Sequence, residues 1–124
     1  MATQAVLYAH GLDRLSVFYV DCIGLTPAET GDGYRELQAA DLVLWLVRGQ
    51  APAPKRDPNG SVMRRSEVPL KLGFAVESID RVAQTIETFG GTVAKTSWEF
   101  AGYRRRDAVD PEGNVIQLLE PLAG

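Results

Sequence analysis

The strongest constraint on the fold of this chain is that its sequence repeats once. An offset of 67 positions aligns Asp13-Arg14 with Asp80-Arg81 and Gly24 with Gly91. Further along, Gly33-Tyr34-Arg35 recurs as Gly102-Tyr103-Arg104, with two extra residues in between. A solenoid usually needs at least three repeats to bury its core. Two copies therefore indicate a duplicated module instead of an extended array.

A helix is predicted near the beginning of each module. In the first module, apolar residues recur at helical spacing from Leu12 to Ile23, and Gly24 stands where the helix would end. In the second module, Ser78 is a suitable N-cap, the apolar positions run from Ile79 to Phe89, and Gly90-Gly91 follows. One face of each helix is therefore expected to pack on a sheet.

Strands are predicted on both sides of each helix. The apolar segments and the turn-forming residues between them place the strands at Ala5–Ala9, Thr26–Thr30, Tyr34–Gln38 and Leu42–Val47 in the first module, and at Leu70–Val76, Thr92–Thr96, Tyr103–Val109 and Val115–Glu120 in the second. The predicted class is α+β, with two βαβββ modules at 1–48 and 70–124. The segment 49–69, with four prolines and an Asn59-Gly60 pair, is predicted to be a linker within one domain, 1–124, long enough to move or to cover a site.

Composition excludes several classes of function. The net charge of −3 argues against nucleic acid as the main partner, because phosphate binding requires a basic surface. Cys22 is the only cysteine, so no intrachain disulfide can form. The amino terminus does not resemble a signal peptide, and the longest apolar run, Leu42–Val47, is too short to cross a membrane. We therefore expect a cytoplasmic protein with no membrane partner.

Several motifs resemble the vicinal-oxygen-chelate superfamily, which contains glyoxalases, bleomycin resistance proteins and extradiol dioxygenases. The first module contributes Leu12-Asp13-Arg14 and Phe18-Tyr19 to the resemblance. The second contributes Phe74-Ala75-Val76 and, most specifically, the turn and strand from Asp110-Pro-Glu-Gly-Asn to Leu118. The resemblance implies a curved sheet around a cavity and a homodimer in which modules of two chains enclose each pocket.

The resemblance also implies where a metal would be bound. Metal-dependent members carry one ligand near the start of the first strand and one on the last strand of each module, and these positions fall at Gln4, Trp45, Lys71 and Gln117. Lysine would bring a positive charge to the ion and the indole offers no lone pair, whereas divalent metals favour carboxylates and neutral imidazoles. His10, the only histidine, lies past the expected position. No metal site and no cofactor are predicted.

A cavity rich in aromatic rings and amides is predicted instead. Strand alternation directs Gln4 and Tyr8 into it, and Trp98 and Phe100 are expected in the loop before the arginine-bearing strand. The predicted ligand-binding residues are Gln4, Tyr8, Tyr34, Gln38, Trp45, Lys71, Trp98, Phe100, Tyr103, Arg105 and Gln117. The alternative is that the aromatic residues are ordinary core, and that Arg104-Arg105-Arg106 divides between solvent and ion pairs with Glu99, Asp107 and Glu112.

Three functions remain open from the sequence. The first is metal-independent binding of a small aromatic or polycyclic metabolite or antibiotic, as in bleomycin resistance. The second is a glyoxalase- or dioxygenase-like lyase or isomerase, dependent on metal or using Lys71 or Asp107 as an acid or base. The third is a structural or regulatory domain whose pocket is filled by its own side chains. A small-molecule ligand and a homodimer are the expected partners in the first case.

Overall fold

A computed structural model describes residues 2–123 and confirms two βαβββ modules in two compact units, Met1–Ala53 and Pro54–Gly124. The first unit contains β1 (Thr3–Ala9), α1 (Leu12–Val17), a π-helix (Phe18–Ile23), β2 (Thr26–Gly31), β3 (Tyr34–Gln38) and β4 (Leu42–Arg48). The second contains β5 (Leu72–Ala75), α2 (Ile79–Ile86), β6 (Thr92–Phe100), β7 (Tyr103–Val109) and β8 (Val115–Pro121). The α+β class predicted from the repeat is therefore confirmed.

Each unit forms a mixed four-stranded sheet with the same topology. The strand orders are β1-β4-β3-β2 and β5-β8-β7-β6, and in each sheet the first pair is parallel and the other two are antiparallel. Val6 lies beside Trp45 in the first sheet, and Gly73 lies beside Gln117 in the second. Because Val6 and Gly73 are 67 positions apart, Trp45 and Gln117 occupy equivalent places in the two sheets.

The helical segment of the first unit covers one face of its sheet with the predicted apolar residues. Leu15 and Phe18 are completely buried, as are Leu44 and Leu46 of β4, the strand that α1 contacts most. The segment is not one continuous α-helix, however. The Gly24 N–H donates to the Tyr19 carbonyl five residues earlier, the spacing of the π-helix that follows Val17. The Leu25 N–H donates to the same carbonyl and closes the end of this helix.

Helix α2 begins with two side chains that satisfy its first donors. The Ser78 hydroxyl accepts from the Arg81 N–H at 3.2 Å, as the sequence predicts for an N-cap, and the Glu120 carboxylate accepts from the Ile79 N–H at 2.7 Å. Ile79 and Ile86 are completely buried. Glu120 lies on β8, so this contact attaches the start of the helix to the sheet that it covers.

Strand β6 differs from the prediction because it continues to Phe100. Trp98 and Phe100 therefore lie on a strand and not in a loop, and they pair with Arg105 and Tyr103 of β7. The connection is a two-residue turn in which Ala101 and Gly102 have φ of 51° and 83°. An Ala-Gly turn is not the usual Asn-Gly or Asp-Gly hairpin signal, which explains why the sequence did not indicate the longer strand.

Part of the predicted linker has defined structure within the second unit. Arg56 forms a β-bridge with Val62, and the Asp57 carboxylate accepts from the N–H groups of Asn59 and Ser61. Val62 is buried, and the Arg65 N–H donates to the Gly113 carbonyl at 2.8 Å. We call residues 54–65 the strap, because they run beside the turn that precedes β8 and Arg65 is hydrogen-bonded to it.

That turn, Asp110 to Asn114, is held together by one buried carboxylate. Asp110 is 0% exposed, and its Oδ1 atom accepts from the N–H groups of Glu112 and Asn114 at 2.8 and 3.0 Å. Its Oδ2 atom accepts from the Asn114 side chain at 2.8 Å. Gly113 has a φ of 91°, which favours glycine at this position. The most specific sequence motif of the chain is therefore a structural turn.

In each unit, an aspartate of the helix forms an ion pair with an arginine of the third strand. Asp13 of α1 pairs with Arg35 of β3 at 2.6 Å, and Asp80 of α2 pairs with Arg104 of β7 at 3.3 Å. Arg105 contacts Gln117, and Arg106 donates to the Ala94 carbonyl. Within the arginine run, Arg104 thus forms an ion pair, as the alternative interpretation expected, but its partner is Asp80 of α2. None of the helices within residues 2–123 is long and apolar enough to cross a membrane.

Candidate functional site

Each sheet has one face against its helix and a second face that we call the front face. In the first unit, Gln4, Val6 and Trp45 alternate with the buried residues of β1 and β4, and they therefore point to the front face. In the second unit, Gly73 and Gln117 are paired at this face, and Lys71, directly before β5, reaches it through its ion pair with Asp107. The strand alternation predicted from the sequence is confirmed for these positions.

The front face of the first unit contains a cleft of about 650 Å³. Its lining residues come from β1, β4 and the β2–β3 hairpin: Gln4, Val6, Glu29, Asp32, Gly33, Tyr34, Trp45 and Val47. The volume lies within the range typical of small-molecule sites. Three of the predicted site residues, Gln4, Tyr34 and Trp45, are thus brought together.

Two contacts hold the aromatic walls of this cleft. The Trp45 indole N–H donates to Gln4 Oε1 at 3.2 Å, which fixes the indole with its ring faces free of hydrogen bonds. The Tyr34 ring lies 6.0 Å from the Trp45 ring, at an interplanar angle of 51°. Tyr34 lies across Gly31, where a Cβ atom would overlap its ring. Glycine at position 31 therefore allows the tyrosine to lie flat on the hairpin.

Glu29 gives the cleft an acidic edge. The Tyr34 hydroxyl donates to Glu29 Oε1 at 3.1 Å. This hydrogen bond and the charge of Glu29 raise the pKa of Tyr34 above its usual value of 10.0, with smaller contributions from burial and from Glu36. The phenol is therefore protonated and acts as a donor throughout the physiological pH range. Asp32, the second carboxylate of the cleft, is 3.6 Å from Arg48, and both side chains are exposed.

The front face of the second unit carries a connected polar network. Lys71 Nζ lies 2.9 and 3.0 Å from the two carboxylate oxygens of Asp107. The Gln117 amide donates to Asp107 Oδ1 at 3.3 Å, and its oxygen accepts from Arg105 Nη1 at 2.9 Å. Gln117 is only 8% exposed. These four side chains form one chain of hydrogen bonds from Lys71 to Arg105.

Aromatic rings surround the two cations of this network. Lys71 Nζ is 5.6 Å from the centre of the Trp98 ring, and the Arg105 guanidinium is 5.4 and 5.6 Å from the rings of Phe100 and Tyr103. These distances are within the range of cation–π interactions. The second front face therefore groups six more of the predicted residues: Lys71, Trp98, Phe100, Tyr103, Arg105 and Gln117.

Two of the predicted residues belong to neither front-face group, and the first cleft contains carboxylates that the sequence did not predict. Tyr8 is exposed on β1, and Gln38 donates to Glu36 at 3.3 Å, but neither lines the cleft. Glu29 and Asp32 do line it. Glu29 could not be assigned from alternation because β2 is irregular between Pro27 and Thr30, so its facing pattern is interrupted there. Asp32 lies in the turn between β2 and β3, where strand alternation does not apply.

The strand registers also show which residues of β3 and β7 occupy equivalent positions, and these pairs differ from the ones that the sequence repeat suggests. Aligning Tyr34 with Tyr103 makes Gln38 the counterpart of Asp107. In the sheets, Glu36 lies beside Trp45 and Asp107 lies beside Gln117, so Glu36 is the true counterpart of Asp107. The difference arises because β7 is two residues longer than β3 (7 against 5 residues).

Comparison with solved structures identifies the fold. A glyoxalase/bleomycin resistance protein/dioxygenase family enzyme from Burkholderia phytofirmans PsJN superposes with a TM-score of 0.72 at 16% identity, over 97% of this chain and 98% of that one. A lactoylglutathione lyase from Agrobacterium tumefaciens superposes with a TM-score of 0.63 at 22% identity, over 97% and 92% of the two chains. The chain has the glyoxalase/bleomycin-resistance fold. No family model and no curated protein matches the sequence.

The fold resemblance predicted from the sequence is therefore confirmed, and this fold hosts many different chemistries. A third neighbour, a glyoxalase/bleomycin resistance protein from Albidiferax ferrireducens T118, has a TM-score of 0.66 at 18% identity, over 97% of this chain and 98% of that one. At such identities the superpositions establish the fold alone.

The residues at the four positions where the sequence resemblance implies metal ligands do not fit a divalent ion. Gln4 and Trp45 are hydrogen-bonded to each other, with the indole N–H directed at the amide oxygen. Lys71 presents an ammonium group, and the Gln117 oxygen already accepts from Arg105. Within residues 2–123, no three His, Cys, Asp or Glu side chains are grouped as metal ligands. The donor set at these positions is suited to hydrogen bonding and not to coordination.

Proposed function

We propose that the protein binds a small planar aromatic or polycyclic compound without a metal, and that it sequesters this compound in the cytoplasm. The observation that carries the proposal is the cleft of the first front face, in which Gln4 orients the Trp45 indole. An indole and a phenol 6.0 Å apart offer ring surface for stacking, and Val6 and Val47 add apolar area. Such binding would lower the free concentration of a toxic metabolite or antibiotic.

The charge of the cleft favours ligands with a cationic or hydrogen-donating group. Glu29 and Asp32 both line it, whereas none of its lining residues is basic. Arg48, which does not line the cleft, lies 3.6 Å from Asp32. Within residues 2–123, the Glu29 carboxylate accepts a hydrogen bond from Tyr34 but has no ionic partner. A ligand with a positive group near its ring system would therefore satisfy both the aromatic walls and the acidic edge.

Calorimetric titration with a panel of planar polycyclic compounds, cationic and neutral, tests this function. We expect saturable heat with at least one cationic compound, quenching of tryptophan fluorescence, and the same affinity with and without a chelator. Stoichiometric nickel, zinc, manganese or iron in the purified protein would contradict the proposal. So would loss of binding on chelation, absence of heat with every compound, or metal-dependent turnover of a glyoxalase-type substrate.

We also propose that the protein acts as a homodimer. Apolar side chains outside the cleft are exposed on or near the first strand of each unit, among them Tyr8 and Leu70, and contacts between subunits commonly cover such groups. Light scattering should give a mass of twice 13.5 kDa. A mass equal to that of one chain at micromolar concentration would contradict this proposal.

A further inference from the structure

The strap contains the one Asn-Gly pair of the chain, Asn59-Gly60. When glycine follows an asparagine, no side chain obstructs the approach of the glycine nitrogen to the asparagine amide. We propose that Asn59 is a site of spontaneous deamidation, and that its conversion to isoaspartate releases the strap from the sheet of the second unit. This inference goes beyond the proposed function and does not depend on it.

The modification needs only two groups of this chain and water. The Gly60 nitrogen attacks the side-chain carbonyl carbon of Asn59, and the new C–N bond closes a succinimide ring. The amide nitrogen takes up the proton that the attacking nitrogen loses and leaves as ammonia. Water then opens the ring at either of its carbonyl carbons. One opening gives aspartate, and the other gives isoaspartate, in which the main chain runs through Cβ and Cγ.

The structure leaves the reacting amide free to move. The Asn59 side chain is exposed, and within residues 2–123 its amide makes no hydrogen bond. Gly60 is exposed as well, and apart from its chain neighbours no atom lies within 4 Å of the place where a Cβ atom would stand. The amide can therefore rotate towards the Gly60 nitrogen without displacing another group.

The other asparagine of the chain, Asn114, is held in a way that slows the same reaction. Its side-chain nitrogen donates to Asp110 Oδ2 at 2.8 Å, so its amide is fixed. The next residue is Val115, whose branched side chain crowds the approach to its backbone nitrogen. Asn114 is therefore an internal control for Asn59 in the same molecule.

Asp57 holds the Asn-Gly turn closed and thereby sets the rate of ring closure. Its Oδ1 atom accepts from the N–H groups of Asn59 and Ser61 at 2.9 and 3.0 Å. Its carbonyl oxygen accepts from the Gly60 N–H at 2.9 Å. The attacking nitrogen is thus engaged while the turn is closed, and the reaction proceeds when the turn opens locally.

Conversion to isoaspartate breaks this turn. The additional main-chain atom is inserted between the N–H groups of residues 59 and 61, which share one oxygen of Asp57 in the unmodified turn. The lengthened chain cannot present both groups to the same atom in the original geometry. The new carboxylate also places a second negative charge beside Asp57. Both effects favour the open turn.

The turn is connected to the sheet of the second unit through the strap. Arg56 forms a β-bridge with Val62 across the turn, and its Nη1 atom donates to the Gly60 carbonyl at 3.0 Å. Val62 is buried, and together with Arg64 it lines a cavity of about 280 Å³ against residues of β6, β7 and β8. Opening of the turn should therefore expose Val62 and uncover this end of the sheet.

Ageing of the purified full chain in mildly alkaline buffer, followed by tryptic peptide mapping, tests the modification. Trypsin separates the two asparagines, since Asn59 lies in peptide 57–64 and Asn114 in peptide 107–124. We expect peptide 57–64 to acquire the mass of the acid with time and to become a substrate for an isoaspartate-specific methyltransferase. Peptide 107–124 should stay unchanged. Equal conversion of both peptides, or no conversion of peptide 57–64, would overturn the proposal.

Variants of the turn test whether Asp57 sets the rate. Asp57→Ala should raise the rate of conversion about 3-fold, somewhat below the change of about 5-fold that corresponds to about 1 kcal/mol. Asp57→Asn, which keeps an acceptor oxygen, should change the rate less. Asn59→Gln is the control that does not react, because its longer side chain would have to close a larger ring. An unchanged rate in Asp57→Ala would contradict the role given to the turn.

Brief digestion of the native protein with trypsin tests release of the strap. Aged wild-type protein should be cut after Arg56 and Arg64 at least ~3-fold faster than fresh protein, because cleavage follows the population of the open form. Asn59→Gln protein aged in parallel should be cut at its original rate. Equal cleavage of aged and fresh wild-type protein would overturn the release, and so would equal acceleration in Asn59→Gln. None of these measurements involves a ligand, so their failure and failure of the proposed function are distinguishable.

Discussion

Replacing Trp45 by alanine should weaken binding of 2-naphthylmethylammonium to the first cleft by about 30-fold or more, which corresponds to about 2 kcal/mol for a central aromatic contact. The expected loss has two causes: the indole is the largest ring among the residues lining the cleft, and its removal leaves the Gln4 oxygen without its donor. Calorimetry gives the change in dissociation constant directly. Trp45→Phe, which keeps a ring, should lose less affinity.

Stability should change little in the Trp45→Ala variant. Trp45 lies on the front face, whereas its neighbours Leu44 and Leu46 are completely buried against the helix side. Truncation at position 45 therefore removes a wall of the cleft and no part of the core. Trp98→Ala is the matched control, since it removes the other indole and should leave the affinity for the cationic probe unchanged. Equal losses from both substitutions would contradict the assignment of this ligand to the first cleft.

Replacing Asp110 by alanine should lower the free energy of unfolding by about 3 kcal/mol or more. The substitution removes the acceptor of two backbone N–H groups and one side-chain amide, and a buried donor without a partner costs about 1–3 kcal/mol. The turn also receives the Arg65 N–H, so its loss should loosen the strap. Chemical denaturation followed by circular dichroism measures the change.

Asp57 provides the control for Asp110. It holds a similar turn in the strap, where its Oδ1 atom accepts from Asn59 and Ser61 at 2.9 and 3.0 Å. Both donors belong to exposed residues, so water can replace the carboxylate. Asp57→Ala should therefore cost less than about 1 kcal/mol. If the two substitutions destabilised the protein equally, burial of the Asp110 carboxylate would not be the cause of its importance.

The helices and most strands of this fold were predicted from the sequence, because the apolar residues recur at regular spacing in the segments that pack in the core. Leu15, Phe18 and Ile79 follow helical spacing, and all three are completely buried. The π-helix after Val17 was not predicted. Its buried residues are the same apolar residues that an α-helix would bury here, so the sequence pattern does not distinguish the two helix types. The end of β6 was also missed, because Ala101-Gly102 gives a weaker turn signal than Asp110-Pro111.

The candidate site was predicted less completely, for two physical reasons. Alternation along regular strands correctly brought Gln4 together with Trp45, and Arg105 together with Gln117. It could not assign Glu29 to the cleft, because an irregular strand loses its facing pattern. Nor could the sequence show that Lys71 and Asp107 neutralise each other, since they are 36 positions apart and meet only through the pairing of β5, β8 and β7.

Along β4 and β8, buried core residues alternate with front-face residues, and this affects how the protein can evolve new ligand specificity. Leu44, Leu46, Ile116 and Leu118 anchor the helices, while Trp45 and Gln117 between them face away from the core. Mutations that alter recognition and mutations that alter stability therefore fall on interleaved positions of the same strands. A library of variants that changes only the front-face positions of one unit should yield folded proteins that bind new ligands at that unit. The front face of the other unit should keep its original ligand. Duplication thus leaves each half free to diversify separately.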